Sequence, residues 1–320
     1  NYRTQKPVFQ NAGATLSDIG DGILNLEFHT KMNVIGSEIL EAMHKSIDIA
    51  EKNYRGLVIG NDAANFSAGA NIAMMLMLAI EQEYDELDMA IRYFQNTIMR
   101  VRYSGIPVAV APHGLTLGGG CEMTMHSDVA VAAAETYIGL VEVGAGLIPA
   151  GGGTKELALR ASDKYFKGDI EIPTLQEMSL NIAMAKVATS AREAFDLGIL
   201  RKGIDIEVMN SNRVIAEAKN AVLELANNGY TPPQQRSDIK VLGRSALGSF
   251  YTGIASMRMG NYISAHDEMI AKKVCYVICG GDLSVSTEVN EQYLLDLERE
   301  AFLSLLGEKK TLERMQFILK

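Results

Sequence analysis

The sequence predicts an α/β core followed by a mainly helical C-terminal region. Three observations carry this. Strand, strand and helix patterns repeat up to about residue 160, strand ends run into glycine- and asparagine-rich loops, and helical periodicity dominates from residue 174 onward. With 320 residues and 48% hydrophobic composition, the chain can bury a substantial core as one large domain or two smaller ones.

Residues 15–19 and 22–28 flank Gly20-Asp21-Gly22, which reads as strand, tight turn and strand. Across 37–52, Ile39, Leu40, Met43, Ile47 and Ala50 fall at helical spacing. Residues 56–60 form a short buried strand whose end delivers the chain into the loop 65–71. Residues 72–102 read as helical, their acidic stretch (Glu81, Glu83, Asp85, Glu86, Asp88) being a solvated face or a connection between helices. A further strand at 107–111 leads into Gly118-Gly119-Gly120. Residues 174–227 are mostly helical, with a turn and strand at 198–207. Two prolines make 231–235 the clearest linker, because neither can continue a helix. From 236 to 320 the pattern is helical again, as in 289–306 and 310–319, interrupted by Gly280-Gly281-Asp282. The division expected from this is a core at 1–160, a helical part completing that domain at 161–229, and a helical extension at 230–320.

Composition narrows the function. A formal charge of -9 without a dense Lys/Arg stripe argues against nucleic acid as a partner, and no zinc-like Cys/His spacing points to a metal. The longest apolar stretches, 72–80 and 106–111, fall far short of the roughly 20 residues that cross a bilayer, so no membrane span is expected. Three cysteines (Cys121, Cys275, Cys279) argue against a disulfide framework and fit a reducing cytoplasm. Cys275 and Cys279, four apart in a helical stretch, read as packed thiols. The chain starts at Asn1 without Met, which reads as a fragment cut from something longer.

Glu122 and Glu142 each follow a short apolar stretch, where a carboxylate is costly to bury without a task. The run 114–122 lets backbone approach a ligand closely, and a helix beginning at its last glycine would point N–H groups outward at an oxyanion or a phosphate. It lacks the Lys-Ser/Thr ending of a Walker loop, and no G-x-G-x-x-G follows a first strand, so nucleotide-phosphate cradling is disfavoured.

Four ordered segments resemble the crotonase (enoyl-CoA hydratase/isomerase) superfamily: Asn65-Phe66-Ser67-Ala68-Gly69-Ala70-Asn71-Ile72, the stretch from Pro112 to Met123, Gly139-Leu140-Val141-Glu142, and Gly146-Leu147-Ile148-Pro149 leading to Gly151-Gly152-Gly153-Thr154. The similarity covers roughly residues 14–225. It implies a spiral of ββα units that binds an acyl-CoA thioester. By resemblance, the Ala68 and Gly119 N–H groups form an oxyanion hole for the thioester oxygen, and Ala70, Ile72 and Gly118 contact substrate. Glu122 would orient and deprotonate water while Glu142 places a proton on C2 of a 2-enoyl-CoA. Retention of both acids favours hydratase over isomerase; an isomerase and a non-catalytic CoA-binding scaffold are the alternatives.

Departures from the family pattern are Asn71, where Asp is common, and Lys155 in place of Gln-Arg after Thr154. Lys155 reads as a solvated helix residue or as a partner for a CoA phosphate. Met74, Met75 and Met77 could line an acyl tunnel or pack in the core, and His113 and His126 read as packed histidines. The region beyond residue 230 resembles the C-terminal part of bacterial fusion proteins of the 3-hydroxyacyl-CoA dehydrogenase type. That resemblance implies a homo-oligomer and a dehydrogenase partner domain in the parent protein. It also implies no cofactor in this chain, with coenzyme A entering as part of the substrate and NAD serving only the absent dehydrogenase half.

Overall fold

A computed structural model describes residues 6–320; the Met-less start lies outside the described residues. The chain forms two compact units, each assembled from three stretches. The first takes the residues up to Asn71, Asn96–Gly139 and Val187–Gln234; the second takes Ile72–Gln95, Leu140–Lys186 and Gln235–Lys320.

In the first unit, β1 (Phe9–Gln10), β2 (Ala14–Asp18) and β3 (Ile23–Phe28) pair antiparallel, with Ala14 opposite Phe28 in the expected hairpin. Strands β4 (Gly56–Ile59), β5 (Val108–Val110), β7 (Val129–Ala133) and β10 (Ile206–Val208) continue the sheet in parallel, in the order β1-β2-β3-β4-β5-β7-β10. Every residue of β4, β5 and β7 is buried, which is why these strands read as unbroken apolar runs rather than alternating ones. Helix α1 (Ser37–Asn53) buries the stripe Ile39, Leu40, Met43, Ile47 and Ala50 and packs on β2, β3 and β4. Helix α8 (Val214–Asn227) brings Val214, Ala218, Ala221 and Val222 into one cluster with Val58, Ala109 and Val131.

A second sheet of this unit joins β6 (Gly114–Leu117), β8 (Thr136–Gly139) and β9 (Val187–Ala188). The chain therefore steps from the large sheet to the small one twice, from β5 to β6 and from β7 to β8. It begins the same step after β4, where Ser67 bridges in parallel to Thr116 of β6. These steps are the strand, strand, helix repeat; α4 (Gly119–Met125) closes the one that begins at β5, and α7 (Ala191–Asp196) is capped by Ser190, which accepts from Glu193 N. Sequence patterning left β6 inside a presumed loop, because four residues next to a glycine run show too little alternation.

The second unit is mainly helical. Helix α10 (Ala265–Ile278) packs against α5 (Gly153–Ser162), α6 (Ile172–Ala183), α9 (Gly243–Met259) and α11 (Glu291–Leu306). Two short strands, β11 (Ile239–Val241) and β12 (Thr287–Val289), pair antiparallel inside the region expected to be helical. The helix expected from residue 289 consequently begins at Glu291, capped by the Asn290 side chain, which accepts from Tyr293 N at 2.8 Å. The stretch 72–102 is two helices, α2 (Ile72–Ile80) and α3 (Tyr84–Arg102), separated by a turn with Gln82 at φ 60°. Among the described residues no helix is long and apolar enough to cross a membrane, and no group of three or more His, Cys, Asp or Glu is placed to hold a metal ion.

Asp128, between α4 and β7, ties the first unit together. Its carboxylate accepts from Val108 N at 2.7 Å and from the Tyr230 hydroxyl at 3.0 Å. Burial nevertheless pushes its pKa from 3.8 up to about 6. The folded state thus holds this proton more tightly than the unfolded chain, so the group's contribution is most favourable below pH 3.8 and declines as pH rises to about 6. In Asp128→Asn the amide can accept from Val108 N–H and donate to the Tyr230 oxygen, whose proton still reaches Ser104 O at 3.3 Å. Urea titrations at a series of pH values should show the variant gaining on the parent between pH 4 and pH 7, by up to about 3 kcal/mol.

Candidate active site

The loop 65–71 is held on two sides. On one, it runs as an extension of the small sheet: Phe66 N donates to His113 O (3.0 Å), Ser67 N to Leu115 O (3.1 Å) and Leu117 N to Ser67 O (3.0 Å). On the other, Met32 and Asn33, both left-handed at φ 56° and 50°, present their carbonyls to it. Ala68 N donates to Met32 O at 3.1 Å and the Ser67 hydroxyl to Asn33 O at 2.8 Å. Further along, Ile35 N donates to Gly69 O (2.8 Å), and Asn71 N to Ile35 O (3.2 Å).

This accounting separates the amides of the loop. Ala68, expected to offer its N–H to substrate, already gives it to Met32. Gly69 N is taken by the Ser67 hydroxyl at 3.1 Å. Ala70 is the one amide from Phe66 to Asn71 for which the described residues supply no acceptor. Beyond the Ser67–Thr116 bridge, Gly69, the neighbour of Ala70, approaches the turn that leads into Gly119. The approach is close, since a Cβ on Gly69 would lie 2.9 Å from Leu117 O and 3.3 Å from Gly119 N.

Helix α4 starts one residue earlier than the last glycine of the run. Gly118, at φ 52° and ψ -120°, turns the chain from β6 into the helix in a conformation that side-chain-bearing residues avoid, and its own N–H donates to Gly139 O at 2.9 Å. Gly119 is the first helical residue and has no acceptor among the described residues, as the geometry of a helix start requires. Glu122 follows one turn later and is only 3% exposed, with its N–H bonded to Gly118 O at 2.9 Å. The first unit therefore brings together Ala70, Gly118, Gly119 and Glu122. His126 ends the same helix, buried, with Nδ1 2.7 Å from Glu122 O, and His113 Nε2 lies 2.8 Å from Ala63 O.

Glu142 and Ile72 belong to the second unit. Glu142 opens a 3-10 turn, Glu142–Ala145, and is half-buried; its carbonyl accepts from Leu147 N at 3.0 Å. Ile72 opens α2, in which Leu76 and Ala79 are buried, Met74 and Met75 half-buried, and Met77 exposed. Cys275 and Cys279 are buried free thiols, and burial raises the pKa of both, that of Cys275 to about 12.

Lys155 corrects both sequence readings. It is fully buried, its ammonium 2.8 Å from Glu291 and 3.2 Å from Glu156, whose other oxygen takes Arg160 at 2.9 Å. Nor does the second glycine run, 151–153, offer open amides at the start of α5. The Glu298 carboxylate accepts there from Gly152 N at 2.6 Å and Lys155 N at 3.0 Å, and also from the Gln95 amide at 3.2 Å. Nothing local to residues 149–156 announces partners that lie about 140 positions later, so the sequence reading missed Glu291 and Glu298.

Residues 18–167 match the family model described as "Enoyl-CoA hydratase/isomerase". A Bacillus subtilis protein named "Probable 3-hydroxyacyl-CoA dehydrogenase" is 44% identical over 316 residues, covering 99% of this chain and 39% of that protein. The chain spans about two fifths of the length of the curated relatives it matches. Among solved structures, an enoyl-CoA hydratase from Bacillus halodurans aligns with a TM-score of 0.65 at 15% identity, over 96% of this chain and 100% of that one. An enoyl-CoA hydratase/isomerase from Mycobacterium paratuberculosis gives 0.62 at 15% identity, over 96% and 98%. At such identities these structures speak to the fold alone, and they agree with the α/β core followed by helices.

Replacing Lys155 by Met should leave Glu156 and Glu291 buried without their shared cation. A loss of about 3–5 kcal/mol in unfolding free energy is expected from denaturant titration, where a solvated lysine would leave stability unchanged.

Proposed function

We propose that this chain, whose residues 18–167 match the family model described as "Enoyl-CoA hydratase/isomerase", hydrates 2-trans-enoyl-CoA thioesters reversibly to 3-hydroxyacyl-CoA in fatty-acid β-oxidation. The observation that carries the reading is the grouping in the first unit: two amides without acceptors among the described residues, at Ala70 and Gly119, on segments brought together by the Ser67–Thr116 bridge and the close approach of Gly69 to Gly119, and a buried carboxylate one helical turn beyond. Addition of water to the double bond places negative charge on the thioester oxygen, and two N–H donors aimed at that oxygen stabilise the enolate. One such donor is worth roughly 3–4 kcal/mol of transition-state stabilisation. In the reading advanced here Ala70 supplies the donor expected of Ala68, whose N–H has Met32 O as acceptor. Gly118 shapes the turn, and Ile72 contacts substrate at the start of α2.

Glu122 takes the proton from water as its oxygen bonds to C3, and Glu142 gives a proton to C2; each reverses its role in dehydration. Coenzyme A is part of the substrate, and the chain's own chemistry calls on no further cofactor. Dehydrogenase activity, with its NAD, is proposed only for a longer parent protein, since the relative so named is matched over 39% of its length. Three buried free thiols fit a reducing, cytoplasmic setting.

Loss of enoyl-thioester absorbance, followed over several chain lengths with the 320-residue chain, tests the reaction. Glu122→Gln and Glu142→Gln should each lower kcat by roughly 10²–10⁴-fold with little change in KM. Full turnover in both variants would remove the assigned roles. Thioester binding without turnover in the parent chain would leave a scaffold, and migration of a 3-enoyl double bond without hydration would leave an isomerase.

A further inference from the structure

Resting on the proposed role of Glu142, we infer that the C-terminal helix α12 (Lys309–Ile318) holds the Glu142 turn in place, with Thr311 and Arg314 as positioning residues. Helix α12 packs against this turn and against α2, the helix that starts at Ile72. Both of its neighbours thus begin at residues assigned to the site.

The contacts fall on two carbonyls after Glu142, those of Val143 and Gly146. Thr311, fully buried, donates its hydroxyl to Gly146 O at 2.9 Å. Arg314 reaches Val143 O with Nη1 at 3.3 Å. Val143 O also accepts from Gly146 N at 3.0 Å, so Arg314 adds a second donor there, whereas Gly146 O takes its donor from Thr311. The turn also lies flush on the helix. Gly146 sits at φ 85°, and a Cβ there would come within 2.9 Å of the Thr311 Cα, so any other residue would push the turn off α12.

Two further side chains, adjacent at the start of α10, set the first two. A hydroxyl has one proton, and that of Thr311 goes to a carbonyl, which can only accept. His266 Nε2, 3.0 Å from the Thr311 oxygen, must therefore donate, which assigns the Nε2–H tautomer from the hydrogen-bond network. Burial and the nearby Arg314 lower the His266 pKa, which favours the neutral ring. Asp267 accepts from Arg314 Nη2 at 2.5 Å while its other oxygen closes the capping box of α10 with Ser264. His266–Thr311–Gly146 and Asp267–Arg314–Val143 are thus two parallel relays from α10 through α12 to the backbone that carries Glu142. Proton transfer to carbon tolerates little slack, and a displacement of about 1 Å in a catalytic group can cost on the order of 100-fold in rate.

The test uses hydration kinetics of the full chain. Thr311→Val keeps the shape and deletes the donor; Thr311→Ser keeps the donor. The valine variant should lose roughly 10- to 100-fold in kcat with KM within about twofold, and the serine variant should recover most of it. In a Glu142→Gln background Thr311→Val should cost nothing more, because both changes act on one step. If Thr311→Val lowers kcat by the same factor with and without Glu142, the inference fails while the hydratase reading stands. A parent chain that hydrates no 2-enoyl-CoA removes that reading and this inference together. Should the valine variant not fold, Arg314→Met is read the same way, and loss of folding in both variants overturns the positioning role.

Discussion

The parallel bridge between Ser67 and Thr116 is the constraint on which the candidate site depends. Strands β4 and β5 are neighbours in the large sheet and run in the same direction, so their carboxyl ends emerge side by side. The segments that leave those ends must then run alongside one another, and their free backbone groups pair as a short parallel ladder. That pairing brings Gly69, next to Ala70, against the turn that leads into Gly119. Glu122 follows from the helix that the same turn initiates. One topological fact, the repeated step from large sheet to small, thereby places two amides and an acid without a loop having to find its conformation alone.

The two glycine runs, 118–120 and 151–153, look alike in sequence and end in opposite states. Each stands just before or at the start of a helix, where amides point outward. At α4 the first amide has no acceptor among the described residues. At α5 the Glu298 carboxylate occupies the equivalent place, and Lys155 is drawn inward to a carboxylate pair. Burying these charges is tolerable because each meets an opposite charge or several hydrogen bonds, and removing one member leaves the others stranded. The difference between a helix start whose first amide has no acceptor among the described residues and a closed one lies in a side chain supplied from α11.

What could be read in the sequence divides along the same line. The stripe of α1, the buried strands β4 and β5, and the spacing of Gly119 to Glu122 are encoded within a few residues of one another, and periodicity or motif reveals them. The partners of Lys155, the paired strands β11 and β12, and the engagement of Ala68 by Met32 depend on residues 36 to about 140 positions apart. No local pattern reports such pairings, and the left-handed Met32 and Asn33 are not residues whose identity advertises a turn. The motif singled out this loop, while the hydrogen bonds distinguish Ala70 from Ala68 within it.

The same reasoning bears on the two proposed acids. Glu122 is placed by its own helix and by the turn that starts it, which is held by Gly118 N on Gly139 O and by the adjoining strand, all within the first unit. Glu142 sits on a four-residue turn whose local bonds, Leu147 N to Glu142 O and Gly146 N to Val143 O, are joined by donors from Thr311 and Arg314, with His266 and Asp267 behind them. The family match ends at residue 167 and so includes the second acid but none of these four side chains. A segment that looks like an appendage by motif is, by its hydrogen bonds, part of what holds the Glu142 turn. Its helices bring a buried threonine and a buried histidine to these contacts, and the turn they meet carries Gly146, where a Cβ would lie 2.9 Å from the Thr311 Cα.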